Sequence, residues 1–264
     1  ELQAVAFAIN SGIGAIGSTI VFLPDPAGDQ PGNVQGITEL TAAMKAGQVK
    51  TLFILGGNPS YDAPADLGFA DALANVPTSI HLSLYVNETS RGCKWHAPQA
   101  HYLEAWGDAR AWDGTISIAQ PLILPLFDGR SSIELIAQLL EEPETTGMEI
   151  VRRTLRGIVN DADFDGAWRR ALHDGVVEGT AAQPVAVQAR QIPQWQPAQV
   201  DGFELRFMPD YSVYDGRFTT NGWLLEAPDP ITKLAWDNAA LISYADARTL
   251  DVKDGDIIAI TAGG

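Results

Sequence analysis

One cysteine, Cys93, stands in 264 residues. A single thiol closes no internal disulfide, and cysteine alone then ligates neither an iron–sulfur cluster nor a structural zinc. Cations are also scarce: 17 Lys and Arg face 33 Asp and Glu, for a formal charge of −16. A surface that negative repels phosphate backbones and argues against nucleic-acid binding. No apolar run reaches the ~20 residues of a membrane helix. The nearest candidate, Ala4 to Phe22, is broken by Asn10, Ser11, Gly12, Gly14 and Gly17, so no direct membrane insertion is expected. No charged region followed by a cleavage site marks an intact secretory signal. HExxH and GxSxG are missing as well, which removes the commonest zinc-protease and serine-hydrolase signatures.

The length suits one large domain, or one domain and part of another. The chain starts at Glu1 directly in a helical pattern and stops just beyond what reads as a strand. Both ends read as cut, with the last sheet expected to continue in further sequence.

Leu2 to Ile9 predicts a helix stopped by Gly12, and Thr19 to Leu23 a buried strand. Pro24 to Gly36 reads as a loop, Thr38 to Ala46 as a helix, and Thr51 to Leu55 as a second buried strand. A helix over Ala65 to Leu73 and a strand over Ser79 to Tyr85 follow. Alternating helices and apolar strands predict an α/β fold with a parallel sheet covered on both faces. Asn87 to Pro125 is long, polar and aromatic, with one short strand at Thr115 to Ile118; long loops of this kind commonly form functional or interface surfaces. Ser131 begins a helix to Leu140, with Glu134 three residues on in the capping-box pattern. Helices are expected around Glu149 to Leu155 and Phe164 to Leu172. Ala181 to Val200, rich in Gln and Pro, reads as a linker. Beyond it, Phe203 to Phe207 alternates at period two, and Ala239 to Ile242 and Ile257 to Ile260 predict further strands around a short helix at Ala245 to Leu250. A boundary near residue 200 therefore separates an α/β domain, 1–200, from a β-rich stretch, 201–264.

Gly56-Gly57-Asn58-Pro59 leaves a strand and precedes a helix. Ligands of open α/β sheets bind at that edge, and glycine lets the backbone approach them. The loop itself carries neither GxGxxG nor GxxxxGK[ST], so a tight strand-to-helix turn is the alternative. His81, His96 and His101 show no metal-ligand spacing. Cys93, beside Lys94 and Arg91, would have a lowered pKa if those cations faced it, but Trp95 and His96 crowd it and a buried, inert thiol is the alternative. Glu88 and Glu104 are candidate acid and base groups. Asn221-Gly222-Trp223 and Trp236-Asp237-Asn238 are polar–aromatic clusters suited to a cofactor groove or an interdomain seal.

Three stretches together resemble a known family: Leu55 to Leu67; His81 to Thr115, with Glu88-Thr89-Ser90 and Cys93-Lys94-Trp95-His96-Ala97-Pro98; and Gly216 to Asn238. They are similar to the molybdopterin-oxidoreductase-like domain of the large iron–sulfur subunit of alternative complex III, in the dimethyl-sulfoxide-reductase superfamily. The resemblance implies a Rossmann-like domain over 1–200 and the truncated start of a β-barrel-like, dinucleotide-binding domain over 201–264. It also implies a choice. In cofactor-binding members, Gly56, Gly57, Asn58, Pro59, Glu88, Thr89, Asn221 and Asn238 would lie near molybdopterin guanine dinucleotide. In the complex III-like branch no cofactor is held in this segment, and Trp95 and Lys94 would close the groove. The leading expectation is a non-catalytic scaffold segment of a quinol-oxidising complex. Its expected partners are an iron–sulfur domain of the same parent chain and other membrane-associated subunits. Its expected location is the extracytoplasmic, periplasmic face. A free-standing α/β ligand-binding protein is the remaining alternative.

Overall fold

The computed structural model describes residues 2–26, 28, 32–159, 162–188 and 202–261. The chain divides into two compact units, Glu1–Pro197 and Ala198–Gly264.

In the first unit, helix α1 (Leu2–Gly12) is followed not by a strand but by turns. Gly14 and Gly17 adopt left-handed φ, and the amides of Thr19 and Ile20 fold back on the Ala15 carbonyl. The expected strand at Thr19 to Leu23 is thus replaced by a knot of turns, with one isolated bridge from Ile16 to Ile20. Gly12, Gly14 and Gly17 do have GxGxxG spacing. They follow a helix instead of joining a strand to one, so the dinucleotide fingerprint is not formed.

Helix α2 (Asn33–Lys45) starts five residues before the expected Thr38 and shortens the loop ahead of it. Strands β1 (Thr51–Leu55), β2 (Thr78–Ser83) and β3 (Trp95–Pro98) form a parallel sheet in the order β1-β2-β3. The first crossover holds a single turn, α3 (Pro59–Asp62), a short 3-10 turn (Ala65–Leu67) and α4 (Phe69–Ala74). One helix was expected over Ala65 to Leu73; Gly68, at φ +60°, splits it. The second crossover is α5 (Glu88–Gly92). Met44, Phe69, Ala72, Leu73 and Val76 are buried against Leu52 and Ile54 of β1. Phe53 and Leu55, on the opposite face, remain 38% and 43% exposed. The strand expected to be buried on both faces is therefore covered on one.

The stretch Asn87 to Pro125 holds more structure than its composition announces: α5, β3 and β4 (Gly107–Arg110), besides the expected β5 (Ile116–Ala119). Strand β4 reads Gly-Asp-Ala-Arg and α5 reads Glu-Thr-Ser-Arg-Gly. Neither has an apolar period, because both are placed by their neighbours. Strand β5 pairs antiparallel with β4 and with β6 (Val176–Val177). Its Ile116 and Ile118 pack with Val151, Leu155, Trp168 and Ala171 into a second core, where Trp106 stacks on Trp168 at 6.0 Å.

Helix α6 (Ser132–Leu139) opens with the expected capping box: the Glu134 amide donates to Ser131 Oγ at 3.3 Å and the Ser131 amide to Glu134 Oε2 at 2.9 Å. Glu134 Oε1 also accepts from the Gly147 amide at 3.1 Å, which ties α6 to the start of α7 (Gly147–Ile158). Helix α8 (Phe164–Asp174) is capped by Asp163 and stopped by left-handed Gly175. The Gln- and Pro-rich stretch from Ala181 to Val200 lies mostly outside the described residues.

The second unit contains α9 (Gly222–Glu226) and α10 (Tyr244–Leu250), the latter where a short helix was expected. Phe203 to Phe207, Ala239 to Ile242 and Ile257 to Ile260 do not form strands among the described residues. Their alternation has no surface to bury against: none of the described residues of this unit is buried, and Phe207, Leu241 and Ile257 face solvent. A strand is stable only when its ladder and its apolar face both find partners.

Candidate functional site

The parallel strands end at a common edge, where the loops leaving β1 and β2 meet. The Gly56 amide extends the β1–β2 pairing by donating to the Leu82 carbonyl at 2.8 Å. Gly56 and Gly57 then adopt φ of +74° and +70°. Two successive left-handed residues are accessible without strain only to glycine, and they turn the chain so that Asn58 meets α5.

Both ends of the Asn58 amide are engaged there. Its Nδ2 donates to Glu88 Oε2 at 2.7 Å, and its Oδ1 accepts from the Thr89 amide at 3.1 Å and the Thr89 hydroxyl at 2.8 Å. Thr89 Oγ1 in turn accepts from the Ser60 amide at 3.0 Å. Pro59 starts α3, where its missing N–H is not needed. From the other loop, Asn87 caps α5 by accepting from the Ser90 amide at 3.1 Å, and its Nδ2 reaches the Gly57 carbonyl at 3.4 Å. The two loops are laced side chain to backbone in both directions. Hydrogen bonding from Asn58, ahead of its own amide and the charge of Arg91, holds the Glu88 carboxyl below the usual range, so this exposed group is ionised at neutral pH.

Under the corner lies His81, fully buried on β2. Its Nε2 lies 3.4 Å from the Gly56 carbonyl, which can only accept, so Nε2 carries the proton. Nδ1 then accepts from the Ser90 hydroxyl at 2.8 Å. Ser83 donates to the Tyr85 carbonyl at 2.8 Å and receives from His96 Nε2 at 3.1 Å. Burial lowers the His81 pKa, the Gly56 and Gly57 carbonyls oppose it, and a charged His96 would lower it further. His81 is thus a neutral structural histidine bridging the two loops.

Of the sequence candidates, Gly56, Gly57, Asn58, Pro59, Glu88 and Thr89 come together in this corner. His101 instead takes part in a turn, with Nδ1 accepting from the Leu103 amide at 3.3 Å. Glu104 accepts from the amides of His101 and Leu126, while Glu88 answers Asn58, so the two acids serve different loops. Cys93 follows the buried, inert alternative: burial pushes its thiol pKa up, with the Ser79 hydroxyl opposing. Among the described residues no group of three His, Cys, Asp or Glu side chains converges as a metal site. In the second unit, Asn221 caps α9 through the Trp223 amide at 3.1 Å, and the Asn238 amide donates to Asp237 at 2.8 Å. The Trp236 amide donates to the Leu225 carbonyl at 3.0 Å, which joins the two polar–aromatic clusters. Sequence reasoning missed Asn87, Ser83 and Ser90. The Asn87 cap was legible as Asn ahead of Glu-Thr-Ser; the serines carry no signal until β2 and α5 are stacked.

These features define a mixed α/β protein: a parallel sheet whose loop edge is clipped shut by side chains, accompanied by a separate antiparallel sheet. No family model matches the chain. It is distantly similar to a protein of Nitratidesulfovibrio vulgaris, the "Menaquinone reductase, molybdopterin-binding-like subunit", with 29% identity over 102 residues, 37% of this chain. The matched stretch spans 15% of that relative's length.

Proposed function

We propose that this chain is a scaffold segment of a molybdopterin-oxidoreductase-like subunit in a quinone-linked, membrane-associated electron-transfer complex, with no redox centre of its own. The likeness to a menaquinone reductase subunit supports the general setting. The finer assignment is a quinol-oxidising complex of the alternative complex III type at the extracytoplasmic face, with the clusters on an iron–sulfur domain of the same parent chain. That assignment rests on the three resembling stretches and on the single cysteine.

The observation that carries the scaffold reading is the engagement of both ends of the Asn58 amide within the protein. In a cofactor-binding segment this loop edge would offer donors to the diphosphate or base of molybdopterin guanine dinucleotide. Here both ends of the Asn58 amide are consumed inside the protein, and the partner of its Nδ2 is the ionised Glu88. A carboxylate at the rim repels a diphosphate, which favours the scaffold reading over the cofactor-binding one. The corner instead fixes the geometry of two loops.

Metal and pterin analysis of the intact complex tests the proposal. Iron in cluster stoichiometry with molybdenum and pterin far below one per parent chain is expected. One molybdenum and a stoichiometric pterin per parent would overturn it.

A further inference from the structure

We draw no further inference here: the strongest candidate, the exposed face of the parallel sheet around Phe53 and Leu55 of β1, carries none, because nothing in the structure shows what covers it.

Discussion

Replacing Asn58 by alanine removes the acceptor for two donors of one buried residue. Thr89 has no exposed surface, and both its amide and its hydroxyl donate to Asn58 Oδ1. Each orphaned buried donor costs roughly 1–3 kcal/mol. The hydroxyl can rotate to another acceptor, so the loss should total about 2–4 kcal/mol. A domain with the usual stability of ~5–15 kcal/mol would show this as a clear drop in the denaturation midpoint. Urea unfolding followed by tryptophan fluorescence measures it, with the slope of the transition expected to stay constant. Two further variants isolate the chemistry. Asn58→Asp keeps the Oδ1 acceptor but sets a carboxylate against Glu88, so it should be destabilised at neutral pH and recover on acidification. Combining it with Glu88→Gln supplies an amide donor to the new carboxylate and should restore stability at neutral pH. A loss below ~0.5 kcal/mol for the alanine variant, within the scatter of ordinary surface changes, would refute the clip. So would a double variant no more stable than Asn58→Asp alone.

Two other outcomes follow from the same geometry. His81 is buried neutral with a depressed pKa. The unfolded chain therefore binds its proton first, and the stability present above the usual histidine pKa of ~6.5 should be lost as pH falls below it towards the folded value. Thermal melts between pH 8 and pH 5 should show this decline, and His81→Gln should flatten it; an unchanged slope would contradict the buried neutral bridge. Gly129→Ala places a methyl 2.8 Å from the Ala100 nitrogen and 2.9 Å from the Gln99 carbonyl carbon, both backbone atoms that cannot yield locally. Overpacking of this kind costs typically ~1–3 kcal/mol, measurable by urea unfolding, and a neutral effect would mean the chain is not pinned there.

The local signals that proved legible were those with a mechanism inside a few residues. Ser131 with Glu134 announced a helix start, the run Thr51 to Leu55 a strand, and the glycine pair ahead of Asn58-Pro59 a turn at a sheet edge. Each is decided by capping chemistry, β-branching or backbone freedom, which act over one turn of chain. The signals that failed needed a partner. Thr19 to Leu23 and Phe203 to Phe207 have strand composition but join no sheet among the described residues, while β4 has no strand composition and pairs nonetheless. The candidate corner was read in pieces: Asn58 and Glu88 were both singled out, but not the bond between them, since 30 residues separate them along the chain.

From composition alone came the scarcity of sulfur ligands and the excess of negative charge, and from residue order the absence of a long apolar span. Helix starts and the strand-edge turn also came from the sequence, since their causes are local. Whether Asn58 would offer its amide to a ligand or spend it on Thr89 and Glu88 was decided by tertiary structure, through the register that sets β1 beside β2. The outward face of Pro121 to Phe127 was decided the same way. The sequence placed most of that run in a long loop, and the bonds from its amides to Leu103 and Glu104 set its course.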